Sequence, residues 1–220
     1  MATEGEAKGG EAKGGEAIGG AAEGRLEAIV LAGGFGSRFG GGKLTAPWRD
    51  GRLIDGALAA AFAAPARSVT VVTGADLAVE GAARAAAGRL GEAGRLSVIH
   101  AADHAEGMAA TLRAGIAALS PDSAGVFVFL GDMPRVPPAV LPRLAEALAA
   151  GAQAAAPVFN GQRGHPVLFG RALFPGLLAL TGDEGARNVL RALGPALAQI
   201  KAPDDGVLFD VDTPEQLRPD

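Results

Sequence analysis

Apolar runs and alanine- and leucine-rich stretches alternate along the chain from Leu26 onward. The runs predict strands, because consecutive apolar positions bounded by polar ones suit strands that are covered on both faces. Strands are expected over 28–31, 68–73, 96–99, 126–130, 154–159 and 166–169, with a last strand near 207–211. Helices are expected over about 54–64, through the late seventies and eighties, over about 107–119, and from the prolines at 137 and 138. This alternation predicts an open, mostly parallel α/β sheet.

The first 24 residues follow a different pattern. Glu-Ala-Lys-Gly-Gly occurs at 6–10 and again at 11–15, and decays to Glu-Ala-Ile-Gly-Gly at 16–20. Paired glycines interrupt each helix-favouring unit, and each glycine costs a helix about 1 kcal/mol relative to alanine. Since this segment has few apolar side chains to bury, residues 1–24 are predicted to be a flexible tail and 25–220 to form one domain.

Composition narrows the classes of function. The 220 residues carry a formal net charge of -4, with one tryptophan and no tyrosine, which argues against a nucleic-acid-binding protein. No cysteine is present, so disulfides, thiolate catalysis and cysteine-ligated metals are excluded. No basic segment leads into an apolar run at the N-terminus, and no apolar run approaches the roughly 20 residues that span a bilayer. A cytoplasmic protein without a membrane partner is expected.

A glycine-rich loop, Gly-Gly-Phe-Gly-Ser-Arg-Phe-Gly-Gly-Gly-Lys at 33–43, follows the first predicted strand. Ligands of open α/β sheets bind at the carboxyl ends of the strands. Backbone N–H groups of glycines can approach phosphate oxygens closely, and Arg38 and Lys43 add two cations. The loop therefore predicts a site for the phosphates of a nucleoside triphosphate.

Two known phosphate loops do not match this segment. A Walker A loop requires glycine at the position of Ser37, and serine or threonine at the position of Leu44. The strict dinucleotide fingerprint G-x-G-x-x-G fits Gly34 and Gly36, but its last glycine falls on Phe39. Both mismatches argue against a P-loop ATPase and a dehydrogenase.

Three carboxylates lie at predicted strand ends. Asp132 follows the most apolar strand, and Asp210 and Asp212 would share one face of the last strand. Mg²⁺ prefers carboxylates together with substrate phosphates, so Asp132 with Asp210 or Asp212 predicts a magnesium site. Two alternatives remain open: Asp132 as a turn residue, and Asp212 as a helix N-cap in Asp-Thr-Pro-Glu.

The three histidines show no metal-binding spacing such as H-E-x-x-H. His100 follows a strand, His104 lies in a loop, and His165 follows the polar turn at 160–164 and is the most site-like of the three. The chain has no G-x-S-x-G elbow and no cysteine nucleophile, so covalent catalysis is not indicated.

Taken together, these motifs resemble a known family. Leu-Ala-Gly-Gly-x-x-Ser-Arg-x-Gly-x-x-Lys-Leu at 31–44 resembles the signature of the MobA-like nucleotidyltransferases. The segments at 107–115, 164–169 and 182–187 are similar to those of the molybdenum cofactor cytidylyltransferase branch, and 131–134 and 210–214 complete the pattern. The resemblance covers about residues 26–218.

The resemblance implies a Rossmann-like three-layer α/β/α fold. It also implies transfer of a nucleoside monophosphate to the terminal phosphate of molybdopterin, with release of pyrophosphate. The catalytic residues would be Lys43, Arg38 and Asp132. The nucleotide would be bound by Leu31, Ala32, Gly33, Gly34, Gly36, Ser37, Arg38, Lys43, Thr73, Gly74, Gly107, Met108 and Asp132. Mg²⁺ would be held by Asp132 and Asp212 with Asp210, and the acceptor by His165, Arg163, Asp183 and Arg187.

Two departures bear on the nucleotide. The first motif reads Leu-Ala-Gly-Gly where cytidylyltransferases more often carry Ala-Ala-Gly, and the Gly-Gly form is more typical of the guanylyltransferase branch. Thr111 stands where serine is common. The later motifs favour CTP, with GTP as the alternative. Other open alternatives are transfer to a sugar phosphate, a methylerythritol phosphate or phospholactate, and a nucleotide-binding chaperone without turnover that delivers cofactor to a recipient molybdoenzyme.

Overall fold

A computed structural model describes residues 24–34, 39–182 and 185–217. The predicted tail, apart from Gly24, lies outside these ranges. The strands are β1 Leu26–Ala32, β2 Pro47–Trp48, β3 Gly51–Arg52, β4 Val69–Thr73, β5 Leu96–His100, β6 Gly125–Leu130, β7 Ala154–Phe159, β8 Gln162–Arg163, β9 Val167–Gly170 and β10 Leu197–Lys201. The helices are α1 Leu53–Ala63, α2 Ala78–Leu90, α3 Met108–Ala117, α4 Val140–Ala149, α5 Phe174–Leu178 and α6 Arg187–Leu193.

Eight strands form one sheet, in the order β10-β7-β9-β6-β1-β4-β5, with β8 paired to β7. The pairs β6–β1, β1–β4, β4–β5 and β10–β7 are parallel, and β9 runs antiparallel to both β6 and β7. β2 and β3 form a separate antiparallel hairpin that follows the glycine-rich loop. The central strands β1, β4, β5 and β6 therefore end at one edge of the sheet, which positions the site.

Helices cover both faces of this sheet. Ala28 and Val30 of β1 pack with the apolar sides of α1, α2 and α4 in one core cluster. Ile29 and Leu31 pack with α3, α5 and α6 in the other. Because successive residues of a strand point to opposite faces, a continuous apolar strand supplies both clusters at once. The predicted three-layer α/β/α fold is confirmed. No helix of the described ranges is long and apolar enough to cross a membrane.

The prediction of a last strand near 207–211 is wrong. The final strand is β10, which pairs in parallel with β7 from Leu197 opposite Ala154. Residues 205–207 form a short 3-10 turn, and residues 209–212 have no regular structure. The backbone there bonds to loops instead of a neighbouring strand: His165 N donates to Val207 O at 2.9 Å. Burial of isolated apolar residues thus produced a strand-like pattern without a strand.

Two boundaries also differ from the sequence-based expectation. The prolines at 137 and 138 lie in the turn before α4, and their carbonyls accept from the N–H groups of Val140 and Leu141. The polar turn at 160–164 contains the short strand β8, which pairs with the end of β7. Asn160 and Gly161 both have positive φ and make the tight connection.

Candidate active site

A cavity of about 550 Å³ opens at the carboxyl edge of the central strands. Its volume lies within the range of small-molecule sites. The lining residues are Leu31, Ala32, Gly33, Gly34, Gly42, Lys43, Leu44, Asp76, His104, Ala105, Gly107, Met108, Thr111, Leu130 and Asp132. The structure thus brings together eight of the predicted nucleotide-binding residues: Leu31, Ala32, Gly33, Gly34, Lys43, Gly107, Met108 and Asp132. Gly36, Ser37 and Arg38 lie outside the described residues.

Thr73 and Gly74, also predicted to lie near the nucleotide, do not line this cavity. Thr73 is buried, and its hydroxyl donates to Ile99 O at 3.0 Å. A Cβ at Gly74 would lie 2.5 Å from Gly33 O, so only glycine permits this approach of the loops after β1 and β4. Both residues therefore support the loop that begins at Gly33.

Gly33 packs against a buried threonine of α3. A Cβ at this position would lie 2.6 Å from Thr111 Oγ1 and 3.0 Å from Thr111 Cγ2. Gly33 and Thr111 therefore share one small space, in which a Cβ at position 33 would overpack the threonine side chain. This contact gives Gly33 a packing reason.

This contact predicts a compensating pair of substitutions. Gly33→Ala should lower the free energy of unfolding by about 1–3 kcal/mol, because the added methyl overpacks the Thr111 side chain. Adding Thr111→Ser should recover most of the loss, since serine lacks the γ-methyl and can rotate its hydroxyl away. Urea unfolding of the two single variants and the double variant measures the coupling. Strictly additive effects would show that the two positions do not share this space.

Lys43 lies between two carboxylates at the floor of the cavity. Its Nζ is 2.8 Å from Asp132 Oδ2 and 3.5 Å from Asp212 Oδ1. The three preceding glycines, residues 40–42, all have positive φ, which brings the chain into the short 3-10 turn that begins at Lys43. Asp132 follows Gly131, whose N–H donates to Leu31 O at 3.0 Å where β6 and β1 end together. The ends of β1 and β6 thus set the lysine and the first carboxylate side by side.

Asp210 and Asp212 do not share a strand face as predicted, because no strand forms there. Asp212 lies beside Lys43, with its side chain 51% exposed. The side-chain oxygen of Gln216 accepts from Asp212 N and Thr213 N, just before the 3-10 turn Pro214–Leu217. Asp210 lines a second cavity, where burial raises its pKa and the carboxylate of Asp212 raises it further. The cluster therefore carries more negative than positive charge.

This donor set suits a hard divalent cation. Mg²⁺ is usually held by one or two carboxylates, with phosphates and water completing its shell. Asp132 and Asp212 lie close enough to contact one ammonium group, so they can contact one small cation. In the described ranges, no group of three or more His, Asp, Glu or Cys residues could hold a metal by itself. The remaining ligands of such a cation would come from substrate and water.

The second cavity, of about 310 Å³, adjoins the first. The two share Leu31, Met108 and Leu130 in their walls. Three of the predicted acceptor residues line it, namely Arg163, His165 and Arg187, and Asp183 lies outside the described residues. The rest of the lining is mainly apolar: Leu112, Val128, Met133, Gly164, Val167, Phe169, Gly185, Ala186, Leu190, Val207 and Leu208, with Asp210. This cavity combines two guanidinium groups with apolar walls.

His165 is buried in the wall of the second cavity and precedes Pro166 in a cis peptide bond. Burial lowers the pKa of its imidazole, and a hydrogen bond with the backbone of Val128 opposes this in part. Its Nδ1 atom is buried and makes no hydrogen bond within the described part of the chain. At neutral pH the side chain is therefore an uncharged imidazole with one open polar atom.

The lowered pKa of His165 predicts a pH-dependent stability. Below the ordinary histidine pKa of 6.5, the imidazole of His165 is protonated in the unfolded chain but stays neutral in the folded chain. The free energy of unfolding therefore falls as the pH drops below this value. The slope of the unfolding free energy should approach about 1.4 kcal/mol per pH unit. Urea unfolding between pH 7.5 and 5 measures it. His165→Gln should flatten the dependence over this range, whereas replacing the exposed His100 by asparagine should not. An equal slope in His165→Gln and the wild type would contradict the assignment.

Three polar side chains that sequence reasoning did not assign to the nucleotide also line the first cavity: Asp76, His104 and Thr111. Asp76 accepts from Ala78 N at 2.9 Å with one oxygen, and lies 3.5 Å from the Thr45 hydroxyl with the other. The signal for Asp76 was present, since it follows β4 at the same edge of the sheet as Asp132 follows β6.

A mostly parallel sheet covered on both faces, with a glycine-rich loop, a lysine and two carboxylates at its carboxyl edge, defines the Rossmann-like class of nucleotide-binding enzymes. The chain belongs to the MobA-like NTP transferase domain family, whose model matches residues 28–198, and it is a nucleotidyltransferase.

Two relatives match over most of their length. Molybdenum cofactor cytidylyltransferase of Escherichia coli (strain K12) is 25% identical over 196 residues, which are 87% of this chain and 93% of that protein. Nicotine blue oxidoreductase of Paenarthrobacter nicotinovorans is 30% identical over 198 residues, 86% and 93% of the two chains.

Among solved structures, Rv0371c from Mycobacterium tuberculosis H37Rv matches with a TM-score of 0.72 and 28% identity, covering 88% of this chain and 97% of that one. A complex of Rv0371c with manganese matches with a TM-score of 0.62 and 23% identity, covering 81% and 88%.

Proposed function

We propose that the chain transfers a nucleoside monophosphate, CMP in preference to GMP, from a nucleoside triphosphate to the terminal phosphate of molybdopterin or molybdenum cofactor. Pyrophosphate is the second product. One observation carries the proposal: Lys43 and Asp132, which with Asp212 form a charged cluster, line a triphosphate-sized cavity. This cavity shares a wall with a second cavity, which is lined by Arg163 and Arg187. A donor and an acceptor bound in the two cavities would therefore be neighbours, with the donor beside the charged cluster.

The first cavity takes the triphosphate. The glycine-rich loop and the Lys43 ammonium would bind the phosphates, and the family resemblance adds Gly36, Ser37 and Arg38. Asp132 and Asp212 would hold Mg²⁺, with Asp210 as a further candidate. The manganese complex of Rv0371c supports a divalent cation in this family. When bound, the cation neutralises charge on the phosphate oxygens and fixes their orientation.

The second cavity takes the acceptor. Its apolar walls suit a flat heterocycle, and the guanidinium groups of Arg163 and Arg187 suit a phosphate. A phosphorylated pterin has both features, and the family resemblance adds Asp183 as an acceptor-binding residue.

The chemistry needs positioning more than proton transfer. An oxygen of the acceptor phosphate, already ionised at neutral pH, attacks the α-phosphorus. The bond from the α-phosphorus to its bridging oxygen breaks, and pyrophosphate leaves with the electron pair. The main obstacle is repulsion between anions, so fixed cations and oriented amides supply the catalysis. Lys43 is placed to stabilise the charge that grows on the leaving group.

The preference for CTP rests on the likeness to the Escherichia coli cytidylyltransferase over 93% of that protein, and on the packing reason for Gly33. GTP is the second candidate because Asp76 lines the nucleotide cavity. A carboxylate can accept from both the N1–H and the amino group of guanine, whereas cytosine offers only its amino group. One oxygen of Asp76 is already bonded to Ala78 N, which weakens this alternative.

Thermal unfolding with MgCl₂ and each of the four nucleoside triphosphates tests the choice of nucleotide. A ligand at 100 times its Kd stabilises the folded state by about 2.7 kcal/mol, so the cognate nucleotide should give the largest rise in Tm. We expect CTP to do so. The largest rise with GTP would overturn the choice of base but not the class of reaction.

Pyrophosphate release tests the acceptor. Molybdopterin should support release with CTP, whereas a sugar phosphate, methylerythritol phosphate and phospholactate should not. Binding of CTP without release with any acceptor would favour a chaperone without turnover. Because related folds can carry different chemistry, as the likeness to nicotine blue oxidoreductase shows, NADH or NADPH oxidation is followed in parallel.

A further inference from the structure

Three side chains from the segments that carry the charged cluster contact one another. The ring centroids of Phe209 and Trp48 are 6.0 Å apart at an interplanar angle of 41°, and Arg135 Cζ is 4.5 Å from the Phe209 centroid. Trp48 and Phe209 are half-buried, and Arg135 also pairs with Asp205 at 3.0 Å. Trp48, Phe209 and Arg135 are called the aromatic stack below. None of them lines either cavity.

Each member of the stack belongs to a chain segment that also carries a charge of the site. The pairs are Trp48 with Lys43, Arg135 with Asp132, and Phe209 with Asp212. The three segments are distant in sequence and come from the hairpin after the glycine-rich loop, the turn after β6 and the irregular segment after β10. The stack therefore connects the three segments whose side chains meet in the charged cluster.

The segment that carries Asp212 is held by individual contacts and not by regular secondary structure. Residues 209–212 form neither helix nor strand, so no ladder of hydrogen bonds fixes them. Val211 N donates to Asp132 O at 3.1 Å, and Gln216 holds Asp212 N from the other side. Gln216 Nε2 also donates to Asp210 O at 3.4 Å, and the Val211 side chain is fully buried. Phe209 adds an aromatic contact and a cation–π contact, which tie this stretch to Trp48 and Arg135.

We propose that the aromatic stack is a positioning device that sets the Asp212 carboxylate beside Asp132 and thereby determines the affinity for the divalent cation. The proposal rests on the cation site of the proposed function. Because Trp48, Phe209 and Arg135 line neither cavity, they would act through the carboxylates. Removing the Phe209 ring leaves both carboxylates in the chain and loosens the distance between them.

Titration of the nucleotide-free protein with MnCl₂ alone, followed by the EPR signal of free Mn²⁺, tests the proposal without turnover. Phe209→Ala should raise the Kd for Mn²⁺ about ten-fold, as is typical when the support of a metal ligand is removed. Phe209→Tyr keeps the ring and should bind as the wild type does. Trp48→Ala removes the other aromatic ring of the stack and should also raise the Kd for Mn²⁺. Leu90→Ala, which truncates a half-exposed leucine at the end of α2, is the matched control.

Asp212→Asn separates the two proposals. If the stack acts through Asp212, the double variant Phe209→Ala/Asp212→Asn should bind Mn²⁺ no more weakly than Asp212→Asn alone. Wild-type affinity in Phe209→Ala, with weakened binding in Asp212→Asn, would overturn the positioning role and leave the cation site standing. Wild-type affinity in both variants would overturn both. Equal weakening in Phe209→Ala and Phe209→Tyr would also contradict a role for the ring contact.

Discussion

Asp132→Asn is expected to lower kcat/KM for nucleotidyl transfer by a factor of about 10²–10³ or more, the loss typical of one group that stabilises transition-state charge. Asparagine keeps the size of the side chain but removes the negative charge that faces Lys43 at 2.8 Å. The proposed cation would lose its most buried carboxylate, since the Asp132 side chain is 28% exposed and that of Asp212 51%. Steady-state pyrophosphate release measures the effect.

Stability should change little in Asp132→Asn. The lost attraction to Lys43 is offset in part by relief of repulsion between Asp132 and the carboxylates of Asp210 and Asp212. Asp122→Asn is the control. Asp122 lies on the loop before β6, at the edge of the sheet opposite the site, and this substitution breaks its ion pair with Arg67. The control should keep full activity. An active Asp132→Asn enzyme would remove Asp132 from the transfer site.

Lys43→Ala is expected to lower turnover by a similar factor of about 10²–10³ and to weaken binding of the triphosphate. Lys43→Arg should restore only part of the activity, because a planar guanidinium does not replace a compact ammonium in a confined site. The matched control is Lys201→Ala, since Lys201 is the other lysine in the described ranges and lies exposed on β10. Near-normal activity of Lys43→Ala would contradict the proposed role of the lysine.

The same variant should show a second effect of opposite sign. In the nucleotide-free protein, the Lys43 ammonium lies within 4 Å of both carboxylates proposed to hold the cation. Removing it should therefore tighten Mn²⁺ binding in the absence of nucleotide, while catalysis is lost. A general misfolding of the site would instead lower both the affinity for Mn²⁺ and the catalytic rate. EPR titration with MnCl₂ and turnover, measured on one preparation, distinguish the two.

Much of the fold could be predicted because its central strands are apolar on both faces. The continuous runs in β1 and β6 exclude a solvent-facing side, and this implies helices on both faces and parallel neighbours. The outermost strand of the sheet, β10, was harder to predict. β10 reads Leu-Ala-Gln-Ile-Lys and is only partly buried, so its pattern is weak, whereas Val207 and Val211 are buried within an irregular segment.

The site was predictable to the extent that it follows from one rule, that ligands bind at the carboxyl ends of parallel strands. That rule predicted that the glycine-rich loop and Asp132 lie at one edge of the sheet, which is where the structure has Gly33, Gly34 and Asp132. Asp76 follows the same rule but lies in a segment without a recognised motif. The contacts of Gly33 with Thr111, and of Phe209 with Trp48, join residues that are far apart in sequence, so no local pattern contains them.

The most direct test of the central claim is a single reaction of the purified protein with molybdopterin, CTP and MgCl₂. Pyrophosphate and the acceptor product are quantified together, the latter by mass spectrometry. The account predicts one pyrophosphate for each molybdopterin that gains the mass of a CMP group, with both products reduced in parallel by Asp132→Asn and Lys43→Ala. Pyrophosphate without a nucleotidylated acceptor, or undiminished product from either variant, would contradict it.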